Sequence, residues 1–194
     1  MRKALFTVLC LSMCIVSIAQ NKDVQKDIKD IKFFGIDFSL ARTYGGEELI
    51  GQFTEAFQRI NGLFITEANK YDIAKYFKKN VTATAVRQLE ELNESISKET
   101  FYSDSETYQI SNNELAEEIK RLPLKETDGT GLIFVAELLN KGRGQATHHI
   151  VFFDIASRDI LDSWKATGKA KGFGLRNYWA RSIFDILKNV KIKK

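Results

Sequence analysis

Imidazole is the side chain best suited to moving protons or holding a metal near neutral pH, and this chain has two, side by side at His148 and His149. They fall in the run QATHHIVFFDI, residues 145–155, whose aromatic and β-branched content reads as a strand. Neighbouring strand residues point to opposite faces, so the spacing opposes a shared metal and predicts one packed and one exposed histidine. No HExxH or GxSxG spacing and no nucleophile–histidine set accompanies them. The other acid–base candidate is Asp37, inside the apolar run IKFFGIDFSL. A buried carboxyl there would have a raised pKa suited to proton transfer. The more ordinary role is a hydrogen bond to a neighbouring loop, and that role is expected. Catalysis through Asp37 and Glu47 stands as the alternative. No catalytic residue, metal or cofactor is assigned.

The most distinctive local feature is GKAKGFG, residues 168–174, leading into a helix at Arg176. Glycines and lysines ahead of a helix N-terminus suit an anion, because free N–H groups and the helix dipole point at it. The phosphate-binding patterns GxxxxGK[ST] and GxGxxG are both missing. A purely architectural reading is that the glycines let strand and helix approach closely. Aromatic residues and arginine concentrate at interface hot spots. The candidate binding surface is therefore Lys169, Lys171, Gly172, Phe173, Gly174, Arg176, Asn177 and Trp179. Charge is uneven in the same sense: from Lys165 onward there are nine Lys or Arg against one acid, Asp185, while residues 20–164 hold eighteen basic and twenty-four acidic side chains. A lysine-rich last helix also complements its own dipole, and any binding of anionic surfaces through it would be weak and salt-sensitive.

These residues need a scaffold, and the pattern supplies one. Residues 31–40 read as a first strand broken at Tyr44-Gly45-Gly46. Glu47 and Glu48 then fit a first helical turn, followed by Leu49, Ile50, Phe53, Ala56, Phe57, Ile60, Leu63 and Phe64 at helical spacing, running through Asn61-Gly62. Asp72 can cap a short helix, with Tyr71 packing on Tyr76. VTATAV at 81–86 reads as a strand, although Val86, Leu89, Leu92 and Ile96 also suit a helix, and both readings stay open for 81–110. Ser111 with Glu114 forms a capping box that opens a helix stopped by Pro123. Three strands follow, at 132–139, 145–155 and 159–167, joined by short glycine-containing or tight turns that make antiparallel neighbours. A last helix carries Ala180, Ile183, Leu187 and Val190. The expected fold class is α/β (α+β): a mixed central sheet with a C-terminal antiparallel three-strand meander and helices packed on it.

The ends bear on location. Met1-Arg2-Lys3 is basic, residues 4–18 are apolar with small interruptions, and Ser17 and Ala19 are small at the positions a signal peptidase reads. Residues 1–19 are therefore expected to be a signal peptide. Removing nineteen of the 194 residues leaves a single domain of 175 (20–194) with no cysteine, since Cys10 and Cys14 are its only two. Leu11-Ser12-Met13-Cys14 mimics a lipobox, but Met13 is large where that chemistry wants a small residue, and the residues after Cys14 remain apolar. No further long apolar run follows, so no membrane-spanning segment is expected in the mature chain.

The stretches GLIFVAELLN, HIVFFDIASRDIL and GKAKGFGLRNYWA, with FFGIDFSLAR near the start, resemble a family of uncharacterised exported proteins common in Bacteroidetes-type bacteria and marked by a GFGxRNYWA ending. The resemblance covers most of the mature chain. The element order is more distantly similar to the amino-terminal domain of the Tol–Pal propeller protein and to the curli-secretion lipoprotein, envelope modules that bind other proteins. It supplies no catalytic residues, and fold alone does not fix function. The chain departs from the lipoprotein relatives in its lipobox. The implied role is non-enzymatic: a periplasmic or secreted protein that binds an envelope protein or other envelope component, with no nucleic acid partner. The alternative is an anionic small molecule or polymer held on the basic C-terminal face. Intact-mass measurement of exported protein is expected to give a chain starting at Gln20 without lipid. A mass starting at an acylated Cys14 would contradict this.

Overall fold

The computed structural model describes residues 22–190. The leader, both cysteines and the expected cleavage point lie outside the described residues. In order, the elements are α1 (Lys22–Asp27), β1 (Asp30–Asp37), β2 (Arg42–Tyr44), α2 (Ile50–Thr66), α3 (Ile73–Phe77), β3 (Asn80–Thr84), a 3-10 turn (Val86–Leu89) running into α4 (Glu90–Glu94), α5 (Lys98–Phe101), α6 (Asn112–Arg121), β4 (Thr130–Asn140), β5 (Gln145–Asp154), β6 (Ile160–Lys169) and α7 (Leu175–Asn189). One mixed sheet runs β3-β1-β4-β5-β6, with the short β2 continuing along β4 beyond β1. β1 pairs in parallel with both β3 and β4, and β4-β5-β6 is an antiparallel meander. The α+β class and the C-terminal meander hold.

β4 sits in the middle, and every residue after Thr130 is buried. Alternation divides its side chains between two cores. Leu132, Phe134 and Ala136 join a core with Phe53, Phe57 and Ile60 of α2 and Trp179, Ile183 and Leu187 of α7. Ile133 and Val135 join another with Leu115 and Ile119 of α6. The first core is aromatic: the Phe38 ring stacks on Phe57 at 3.8 Å, and Phe53 meets Phe101 edge-on at 4.8 Å. Each fully buried ring contributes about 1.5–3 kcal/mol.

The edge of β1 needs more than a strand partner. Its pairing with β3 ends at Phe33–Thr84, leaving the backbone of Ile36 and Phe38 without a ladder on that side. Two buried amides complete it. Ile36 N donates to Asn61 Oδ1 at 2.8 Å and Ile36 O accepts from Asn61 Nδ2 at 2.8 Å and Asn93 Nδ2 at 3.0 Å, while Phe38 N donates to Asn93 Oδ1 at 2.6 Å. Gly35 makes room: at φ +89° it lies where a Cβ would sit 2.7 Å from Asn61 Oδ1.

Local signals mostly hold. Asp72 caps α3 by accepting from Lys75 N at 2.9 Å, Ser111 and Glu114 form their capping box, and α2 runs through Asn61-Gly62. VTATAV begins as β3 and ends in the 3-10 turn. Glu47 and Glu48 differ from expectation. α2 starts later, with Leu49 as N-cap and its N–H held by Gln52 Oε1 at 2.9 Å. Glu48 is thereby free to pair with Lys141 at 2.8 Å. The Tyr71 ring packs on Phe64 and Phe184. Both histidines are buried, because helices cover one face of the sheet and residues 102–111 run over part of the other.

At Gly168, β6 passes under α7 so closely that a Cβ would lie 1.9 Å from Ser182 O. Gly168→Ala is expected to lower unfolding free energy in urea by at least about 1–3 kcal/mol. Gly62→Ala, in open space within α2, is expected to raise it by about 0.5–1 kcal/mol. Equal effects would contradict the packing.

Candidate interaction surface at the start of the last helix

Three backbone constraints shape the loop between β6 and α7. Ala170 N donates to Gly144 O at 2.8 Å, fixing the loop's start to the β4–β5 turn. Gly172 and Gly174 have φ +136° and +77°, conformations that favour glycine. Gly174 is the N-cap of α7, its carbonyl accepting from Tyr178 N at 3.0 Å, and Asn177 Nδ2 donates to Phe173 O at 3.1 Å. The loop is thus held from both sides, with Phe173 between its two glycines. Phe173 is 95% exposed, the most exposed of the large apolar side chains described.

Two clefts flank this point. One, of about 330 Å³, lies between Gly174–Asn177 and the α2 residues Gln52, Glu55 and Arg59. The other, of about 190 Å³, lies against Glu48, Lys141, Gly172, Tyr178 and Trp179. The cations around them are engaged: Lys141 pairs with Glu48 at 2.8 Å, Arg59 with Glu55 at 2.6 Å and Arg176 with Glu67 at 3.1 Å. Burial alone would raise the Glu48 pKa, but the hydrogen bond and charge of Lys141, together with backbone hydrogen bonds, outweigh it and hold the carboxyl low. Lys171 is exposed, and Lys169 is exposed with its backbone N–H bound to Asp185 Oδ2 at 3.0 Å.

The predicted surface is therefore only partly assembled as expected. Lys171, Gly172, Phe173, Gly174 and Asn177 lie together on the outside. Trp179 does not: it is 1% exposed and packs into the core beneath α7, because helical spacing turns it toward the sheet. Arg176 is half-buried and bridges α7 to the end of α2. The architectural reading of the glycines holds at Gly168, and the display reading fits at Phe173.

The catalytic alternatives resolve differently. Asp37 Oδ1 accepts from Ser39 N at 2.8 Å, the neighbouring-loop bond expected of it. Its Oδ2 has no hydrogen-bond partner, and neither has Glu118 Oε1 nearby; the other Glu118 oxygen pairs with Arg121. Burial, then the Glu118 charge, pushes the Asp37 pKa up to about 7. A second carboxylate is thus present, but none of the five clefts described is lined by Asp37 or Glu118. Glu47 lies in the segment before α2.

His148 faces the aromatic core, and burial, with the charge of His149, pushes its pKa down to about 3, so it stays neutral. His149 is on the other face, its Nε2 2.8 Å from Glu137 Oε2. Glu137 also accepts from Ile110 N at 2.8 Å and pairs with Lys165 at 2.8 Å. Burial would raise the Glu137 pKa, but these bonds, from His149 first, lower it. Sequence reasoning passed over this cluster. Its signal was a lone acid in the otherwise apolar run GLIFVAELLN. Among the described residues, no three His, Cys, Asp or Glu side chains gather as a metal would need. No protein-family model, curated protein or solved structure matches the chain significantly.

The raised Asp37 pKa fixes a sign. The folded chain holds a proton that the unfolded chain releases near its ordinary 3.8. This group's contribution to stability therefore falls as pH rises from about 4 to 7, then levels off. Asp37→Asn keeps the acceptor for Ser39 and gives Glu118 a donor. The variant is expected to match wild type near pH 4–5 and exceed it by roughly 2–4 kcal/mol at pH 8. A constant difference across that range in urea unfolding would contradict the shared-proton account.

Proposed function

We propose that this chain is an exported, non-enzymatic envelope protein that binds another protein through the ledge carrying Phe173. The observation behind the reading is the 95% exposure of an aromatic side chain on a loop that glycine geometry and Asn177 hold in place. A phenyl ring held in water on a fixed backbone loses little ordering entropy on docking and gains its full burial. The apolar leader at 4–18 supports export, and the resemblance of the GFGxRNYWA ending to exported proteins supports an envelope setting.

Two alternatives fit less well. An enzyme working through Asp37 would need its carboxyl open to a cleft, and Asp37 is fully buried. An anion held on the basic C-terminal face would need free cations at the helix start. Lys141, Arg59 and Arg176 are each already paired with an acid there, which leaves Lys169 and Lys171 as the exposed cations of that face.

Phe173→Ser should leave the melting temperature unchanged, since the ring packs on nothing it would expose, and changes at exposed sites fall within about 0.5 kcal/mol. Photo-crosslinking from position 173 in intact cells should give one dominant protein adduct, and Phe173→Ser should prevent its co-purification. Crosslinks to lipid or polysaccharide alone, or recovery unaffected by the substitution, would contradict the reading.

A further inference from the structure

β6 is an edge of the sheet, paired only with β5 along the strand order. The direction of its backbone groups follows from two bonds. Ala170 N donates to Gly144 O, whereas Lys169 N turns away to Asp185 Oδ2. Backbone groups of an antiparallel strand alternate in direction. The ladder with β5 therefore uses Ala166 and Gly168, opposite His148 and Ala146. The N–H and C=O of Lys165 and Thr167 face outward, as those of Lys169 do.

Edge strands are commonly guarded by charged side chains that reach over the open backbone. Here the side chains at these positions are drawn back over the sheet. Lys165 Nζ reaches Glu137 Oε1 at 3.1 Å and Gln109 Oε1 at 3.3 Å, and Thr167 Oγ1 lies 2.9 Å from Thr147 Oγ1. α1 covers the beginning of the strand, with Gln25 bound to Asp162. Beside the uncovered part runs a groove of about 300 Å³ lined by Trp164, Ala166, Thr167, Ile186 and Val190. It lies on the helix side of the edge and offers an apolar floor to alternate residues of an added strand.

We infer that the β6 edge is a docking site for an extended acidic segment of a partner protein, which adds to the sheet as a strand beside Lys165 and Thr167 and seats one apolar side chain in the Trp164–Val190 groove. Backbone pairing supplies affinity in this mode, and the pocket for alternate side chains supplies selectivity. Acidic character follows from the surroundings: Lys169 ends the strand and Lys188 lies on the last turn of α7. A second copy of the chain fits worse. Antiparallel pairing of β6 with itself sets the lysines of one strand against those of the other, and like charges directly opposite are destabilising. The site is separate from Phe173 and does not rest on it.

The probe is an octapeptide alternating valine and glutamate, titrated into the isotopically labelled full chain and followed by amide chemical shifts. Saturable shifts centred on Lys165, Thr167, Ile186 and Val190 are expected. The same peptide N-methylated on the amides of one edge should bind about tenfold or more weakly, from the loss of two backbone hydrogen bonds. Thr167→Pro removes an outward N–H that no internal ladder bond uses, and should abolish binding. If that variant fails to fold, the N-methylated peptide alone decides. No shift at about 1 mM peptide, equal binding of the N-methylated peptide, or dimerisation of the chain through β6 would overturn the inference.

Discussion

A strand buried on both faces must be covered on both faces, and β4 imposes that condition on the whole molecule. Its two sets of alternate side chains sit in two separate apolar cores. One is closed by α2 and α7, the other by α6 and the chain leading into it. β1 and β5 flank it in the sheet, and β2 takes over where β1 leaves off. The same burial dictates the chemistry of its one acid. Glu137 is 3% exposed, and an unpaired buried charge would cost several kcal/mol. The donors that prevent this come from three directions: His149 on β5, Lys165 on β6 and the Ile110 backbone. Residues 102–111 are thereby strapped to the sheet, with Arg143 on Glu106 as a further tie.

The buried polar groups divide into satisfied and unsatisfied sets. Asn61 and Asn93 stand in for a missing strand beside Ile36, a solution in which every group named is paired. Glu137 is similarly complete. Asp37 and Glu118 are not, each keeping an oxygen without a partner. A shared proton is the economical way to hold two such carboxyls in one apolar setting. That contact joins α6 to the end of β1, so the second core carries a titratable link.

Much of this was legible in sequence because it was local. The Ser111–Glu114 box, the Asp72 cap and the three-strand meander each announced themselves within a few residues. The glycines of GKAKGFG marked a place where strand and helix approach closely, and Gly168 under Ser182 is where they do. What depended on distant packing was hidden. Trp179 reads as an interface anchor until α7 is docked, when its face of the helix meets the sheet. One histidine of the pair was expected in solvent; nothing near His149 foretold that Glu137 and residues 102–111 would cover it. The three-residue β2 and the four-residue α5 are too short to carry a period. Glu47 and Glu48 suit a first helical turn by charge, yet Leu49 and Gln52 place the helix start beyond them.

The sheet, built outward from β4, presents two features along one margin: the Phe173 ledge and the outward backbone groups of Lys165 and Thr167 on β6. Native-state hydrogen exchange tests this arrangement residue by residue, since core amides exchange only through large openings and free edge amides exchange directly. The slowest exchange is expected in β4 and β5 at residues 132–136 and 150–152. Along β6 alternation is expected, with Ala166 and Gly168 protected and Lys165 and Thr167 exchanging much faster. Uniform protection along β6, or exchange in β4 as fast as in the loop at 170–174, would contradict it.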